Sequence, residues 1–190
     1  MTLMEFSPDE PKVPWRPSEP LTKDDLDRMP DDGHRYEVID GTLLVTPAPS
    51  RLHQRVVAAV YRTLFDTCPA NLEVLFAPFD VVISPDTVLQ PDVLVARRED
   101  FTDNDLPKAP LLAVEVLSAS TKRIDVMLKW SRLEAAGCPA YWVVDPDTPS
   151  LIGWELRDGA YAQVAKVAGD EPVVLTSPYD VTVVPADLIL

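Results

Sequence analysis

The sequence predicts a mixed α/β (α+β) fold, with a central mixed sheet flanked by helices, an N-terminal β-hairpin and a C-terminal β-meander. Three observations carry this expectation. The apolar runs at 92–96 and 111–117 are too short for helices and are bounded by proline or charged loops, so they read as buried strands. A helical pattern follows the second run, and Ala140-Tyr141-Trp142-Val143-Val144 comes directly after it, which implies a helix-linked crossover between 111–117 and 140–144. Asp40-Gly41, set between two β-rich runs, is the strongest short-range hairpin signal.

The elements follow in order. Prolines at 8, 11, 14, 17 and 20 recur every three residues, the period of a polyproline II helix, so residues 1–20 are expected to form an extended arm and 21–190 a single domain. Thr22 with Asp24 and Asp25 marks a short capped helix to about Met29, because acidic side chains suit a helix N-terminus. The hairpin takes 35–39 and 42–45. Ser50 caps a helix with Val56, Val57, Val60, Leu64 and Phe65 at helical spacing, which stops before Pro69. Strands are expected at 73–76, 79–83, 92–96 and 111–117, the last two central. Ser120 or Thr121 caps the next helix, with Val126, Trp130 and Leu133 on one face, and Gly137 before Pro139 ends it. Runs at 151–156, 161–167 and 173–175 read as the meander.

Composition narrows the class. With 46% hydrophobic residues the chain can bury a substantial core, and no apolar run approaches the roughly 20 residues of a membrane span. The N-terminus lacks the basic and apolar regions of a secretory signal, so a cytoplasmic location is expected. Cys68 and Cys138, in no metal-ligand spacing, are expected to be buried free thiols. A net charge of −14 opposes nonspecific nucleic-acid affinity. The charge is unevenly spread, however: residues 41–65 carry +3 and 121–140 carry +2, on the two helices expected beside the acids. These helices present either a local basic rim or ordinary solvated faces.

Two acids dominate the chemistry. Asp92 and Glu115 sit one on each apolar strand, and Glu115 interrupts an otherwise apolar run, where a charge is costly unless it has a partner or a task. Carboxylates on neighbouring strands can share magnesium, a hard cation that prefers oxygen, with manganese as a substitute, and Val116 can add its backbone carbonyl. Lys122, Asp125 and Lys129 form one helical stripe that directs a cation back toward the acids. Lys129 is the first choice to orient an attacking water or stabilise developing charge. Acid, acid and lysine beside one sheet point to metal-assisted phosphodiester hydrolysis.

At these residues the chain resembles the PD-(D/E)XK nuclease superfamily, and most closely its Uma branch of restriction-endonuclease-like proteins. The matching series runs from Leu21 to about Pro146. It comprises Arg35-Tyr36-Glu37-Val38-Ile39-Asp40-Gly41, Pro47-Ala48-Pro49-Ser50 with His53-Gln54, Pro91-Asp92-Val93, Val114-Glu115-Val116-Leu117-Ser118, Ser120-Thr121, Asp125 with Lys129, and Gly137 to Pro146. The resemblance implies a restriction-endonuclease-like sheet flanked by helices, metal-dependent cleavage of nucleic acid, and Asp92 and Glu115 as metal ligands. The superfamily's motif lysine falls two residues after the second acid, where this chain has Leu117, so the role passes to Lys129. Leu133, Ala119 and Ala140 replace an aromatic residue, a proline and an acid usual in the Uma pattern.

Each assignment has a plain alternative. Asp92 and Glu115 can pair with Arg97 or a helix lysine, and Lys129 with Asp125. Glu37 either completes the acidic cluster or faces solvent on an alternating strand. His53 contacts phosphate, assists proton transfer or makes a structural hydrogen bond. Arg55, Lys122, Arg123 and Asp125 are candidate substrate-binding residues, whereas Tyr141 and Trp142 read as core. The leading expectation is a magnesium-dependent endonuclease acting on DNA as a homodimer, with no membrane partner. The alternatives are a catalytically silent nuclease fold used for binding or assembly, and a hydrolase of small phosphorylated molecules.

Overall fold

The computed structural model describes residues 19–118 and 124–189. The proline-periodic arm up to residue 18, the helix caps at Ser120 and Thr121, and Lys122 and Arg123 lie outside the described residues. Thirteen strands are present among the described residues: β1 Arg35–Ile39, β2 Thr42–Thr46, β3 Leu72–Phe76, β4 Asp80–Ser84, β5 Thr87–Leu89, β6 Val93–Arg97, β7 Asp105–Leu106, β8 Leu112–Val116, β9 Ala140–Asp145, β10 Ser150–Arg157, β11 Ala160–Ala168, β12 Val173–Leu175 and β13 Val181–Val183. The α-helices are α1 Lys23–Leu26, α2 Arg51–Phe65 and α3 Ile124–Ala135.

The mixed α/β class holds, but the strands divide into a six-stranded sheet in the order β11-β10-β9-β8-β6-β3, a five-stranded sheet β2-β1-β5-β4-β7, and the pair β12-β13. In the six-stranded sheet β8 and β9 are parallel, joined through α3 as the crossover predicts, and the other pairs are antiparallel. The N-terminal hairpin belongs to the five-stranded sheet, where β1 pairs with β5, a three-residue strand that the sequence pattern did not mark. Two expectations change. The run at 173–175 leaves the meander to pair with β13. Cys138 is buried as expected, but Cys68 is only half-buried.

The two faces of the six-stranded sheet do different work because successive side chains alternate across it. Val93, Val95, Val114, Val116 and Trp142 face α2, where Val56, Val57, Val60 and Leu64 complete the largest core cluster. Full burial of each of these α2 side chains contributes roughly 1.5–3 kcal/mol. His53 extends that buried helical stripe by one turn toward the N-terminus, and Ser50 caps the helix by accepting the His53 N–H. The opposite face carries Ala113, Tyr141 and Val143 against α3, with Ile39 and Leu89 of the second sheet. Leu94 and Ala96 share that side, packed on Val81 and Leu106. By the same alternation, Glu115 belongs on the side of Ala113, toward α3 and the hairpin, while Asp92, just ahead of β6, sits at the strand end within reach of His53 of α2.

The Asp40-Gly41 turn has positive φ at both central residues, 51° and 74°, as a type I′ hairpin requires. A Cβ at Gly41 would collide with the Pro20 side chain and come within 2.8 Å of its Cα. Gly41→Ala is therefore expected to lower stability by about 1–3 kcal/mol, read from urea unfolding. An unchanged midpoint would mean that the turn relaxes freely. No described helix is long and apolar enough to cross a membrane.

Candidate metal centre

Four separately encoded elements meet at one end of the sheet. Asp92 immediately precedes β6, Glu115 lies in β8, Glu37 in β1 and Lys129 in α3, and all four are at least 94% buried. The Lys129 ammonium stands between two acids, 2.8 Å from Glu37 Oε1 and 3.2 Å from Glu115 Oε1. Glu37 Oε1 also accepts the Gln90 backbone N–H at 2.6 Å. Glu37 is thus an interior residue and not the solvent-facing member of an alternating strand. Lys129 shares the inward side of α3 with Leu133, four residues on, so the charged stripe drawn from helical spacing turns toward the core at this position. Tyr141 and Trp142 are core residues, as expected.

Asp92 is held by a different set. Its Oδ2 accepts the Val116 backbone N–H at 2.8 Å and lies 3.2 Å from His53 Nε2. Its Oδ1 is 2.8 Å from Arg35 Nη1. Arg97, offered by the sequence as a partner, is exposed, and Arg35 takes that place. Arg35 was not among the expected site residues, although strand alternation puts Arg35 and Glu37 on one face of β1 and could have marked it. His53, offered as a phosphate contact, a proton-transfer group or a structural hydrogen bond, meets Asp92 Oδ2 through Nε2. Arg55, two residues along α2 and turned about 200° from His53, is exposed and does not line the cleft.

The electrostatics separate the two principal acids. Burial raises Asp92, but the His53 hydrogen bond and the Arg35 charge outweigh it and bring the carboxyl down to about 2. Burial dominates at Glu115 and pushes it up to about 8, against the pull of Lys129. Burial lowers Lys129, yet the neighbouring Glu115 and Glu37 carboxylates hold it above the ordinary lysine value. Asp92 is therefore a fixed anion and Glu115 an acid that ionises near neutral pH.

These groups line one side of a cleft of about 790 Å³ walled by the 26–36 segment, the 46–50 loop with the start of α2, and Pro146-Asp147. Among the described residues, no three acidic, histidine or cysteine side chains form a ready-made cation cage; Arg35 is paired with Asp92 and Lys129 with Glu37. The donor chemistry nevertheless fits a hard divalent ion. Glu115 Oε1, 3.2 Å from the Lys129 ammonium, and Glu37 Oε2, 3.7 Å from Arg35 Nε, are buried oxygens that accept no hydrogen bond, and Asp92 Oδ1 belongs to the adjacent carboxylate.

A crystal structure from Anabaena variabilis ATCC 29413, described as "a putative nuclease belonging to DUF820", superposes with a TM-score of 0.69 at 17% identity, covering 90% of this chain and 98% of the other. It shows the shared fold. No curated protein matches the chain. Residues 24–183 match the family described as "Uma2: Putative restriction endonuclease". That match spans most of the chain and includes all four converging residues, so the chain belongs to the Uma2 family, the branch its motif series resembles.

Proposed function

We propose that this chain is a metal-dependent nuclease that hydrolyses phosphodiester bonds of DNA, with magnesium as the ion and manganese as a functional substitute. The observation that carries the reading is the convergence of Asp92, Glu115 and Lys129 on one cleft, with Glu37 buried behind them and paired to Lys129. Asp92 and Glu115 would hold the ion, with the Val116 carbonyl as a further oxygen donor. Bound there, a divalent ion supplies Lewis acidity toward a phosphate oxygen and a more acidic water. Val116 N–H and His53 keep Asp92 in one orientation, and Lys129 anchors Glu37 and Glu115 while offering positive charge to the reacting phosphate. Two-fold pairing of chains would let two such sites cut both strands of a duplex.

A silent binding module predicts acids that stay apart, and their convergence favours the enzyme. One observation supports a substrate with few phosphates: the described cleft presents Asp27, Asp31 and Asp147, but no lysine or arginine beyond Arg35 and Lys129. Salt dependence separates the two substrates, since binding to a DNA backbone weakens steeply with added salt and binding of a small phosphodiester does not.

The direct test is calorimetric titration of manganese into wild-type protein and folded Asp92→Ala and Glu115→Ala variants, with magnesium competition. Loss of binding in both variants is the expected result, and undiminished binding in both would overturn the assignment. The same titration has a predicted pH dependence. Because Glu115 is raised to about 8, the free protein carries its proton below that pH and the ion must displace it. Affinity should rise by up to about tenfold per pH unit from pH 6 toward 8 and then level off, with proton release that Glu115→Gln abolishes. A pH-independent affinity would remove Glu115 from the ligand set.

A further inference from the structure

Of the arginine and the lysine that line the described cleft, Arg35 is the one that reaches solvent. Its side chain is 21% exposed, whereas that of Lys129 is 1% exposed and enclosed between Glu37 and Glu115. The guanidinium places Nη1 on Asp92 Oδ1 and Nε at 3.7 Å from Glu37 Oε2, and that Nε is buried with no hydrogen-bond acceptor. The two oxygens of Asp92 are therefore unequal. Oδ2 is tied to the fold by the Val116 N–H and His53, while Oδ1 is held by Arg35. The oxygen best able to accept a cation from the cleft is thus the one covered by a cation of the protein's own.

Resting on the metal-dependent reading above, we infer that Arg35 is an exchangeable internal counter-ion: it covers Asp92 Oδ1 until the divalent ion takes that oxygen, and then turns its guanidinium to the phosphate of the substrate. The exchange follows from charge. An arriving ion meets a guanidinium on its own ligand, and like charges at contact distance repel. Release from Asp92 frees the planar fork of Arg35, whose parallel N–H groups match two phosphate oxygens in a way an ammonium cannot. Its Nε, 3.7 Å from Glu37 Oε2, makes no hydrogen bond that the movement would break. Lys129 cannot make this movement, because leaving its position would take the cation away from two buried acids, Glu37 and Glu115.

The prediction runs opposite to that for a residue that merely shapes the site. Removing a structural partner of Asp92 would loosen the carboxylate and weaken metal binding, whereas removing a competing cation should strengthen it. Manganese titration by calorimetry into wild type, Arg35→Ala and Arg35→Gln is the test, with folding checked by thermal melting. Arg35→Gln, which keeps a long side chain and an N–H donor without the charge, serves if the alanine variant fails to fold. The expected result is manganese affinity about tenfold tighter in the neutral variant, together with about tenfold weaker binding of a dithymidine phosphorothioate to the manganese-loaded protein. Wild-type binding of manganese with equal or weaker binding in the variants would overturn this inference while leaving the metal site standing. Tightening without loss of phosphorothioate affinity would overturn the transfer to phosphate. Absence of manganese binding in wild type and variants alike would overturn the underlying reading as well.

Discussion

Glu115→Ala is expected to lower phosphodiester cleavage by about a thousandfold or more while leaving a folded protein, since losing a metal-ion contribution to transition-state charge stabilisation costs several kcal/mol. The fold should survive because of how the charges are shared. Lys129 keeps Glu37 at 2.8 Å when Glu115 is removed, so no buried ammonium is orphaned. The acid itself is destabilising where it stands: burial in the β8 strand has raised it to about 8. Stability should therefore change by no more than about 1–2 kcal/mol, within the usual range for single substitutions. Activity measured with manganese on a nucleic-acid substrate, beside a urea melt, decides the matter. A folded and fully active Glu115→Ala protein would sink the two-acid site.

Lys129→Met is expected to give the largest loss of stability among the site variants, about 3–5 kcal/mol out of the 5–15 kcal/mol typical of a domain. Methionine fills much of the volume, so the cost is electrostatic. Glu37 and Glu115 remain buried, and Arg35 is engaged with Asp92 on the other side of the cluster. The pH dependence of the deficit has a definite sign. Lys129 is the chief influence holding Glu115 down against burial, so without it Glu115 keeps its proton to higher pH. A folded-state pKa raised above the unfolded value contributes stability at low pH that is lost as pH rises through the folded pKa. The deficit should thus shrink between pH 8 and pH 5. Adding Glu37→Gln removes one of the stranded charges and should recover about 1–3 kcal/mol, a coupling that urea unfolding of the single and double variants would measure. A Lys129→Met protein as stable as wild type would show that water reaches these carboxylates.

Much of the architecture was legible because its causes are local. Asp40-Gly41 satisfies a type I′ turn whatever surrounds it, Ser50 caps α2 through its own neighbour His53, and the short apolar runs at β6 and β8 suit strands buried on both faces. The second sheet was less visible. β5 has three residues and β7 two, too few for any period to register, and their pairing depends on chain brought from elsewhere. Helical spacing directed Lys129 back toward the acids, and it meets Glu115 at 3.2 Å; what spacing could not show is its enclosure between Glu115 and Glu37, which comes from a distant strand.

The sequence by itself determined Asp92 at the head of β6 and Glu115 within β8, the crossover that sets α3 beside them, and membership of the Uma2 pattern, because turn chemistry, caps and apolar periodicity act within a few residues. Only the tertiary structure decided that Glu37 turns inward, that Lys129 is enclosed between two carboxylates, and that Arg35 covers Asp92. Those outcomes depend on which face of the hairpin is packed against which face of the sheet. The cost of burying a charge then selects the partner, and that partner is distant in sequence: Glu37 and Lys129, or Arg35 and Asp92, meet only once the core between them has closed.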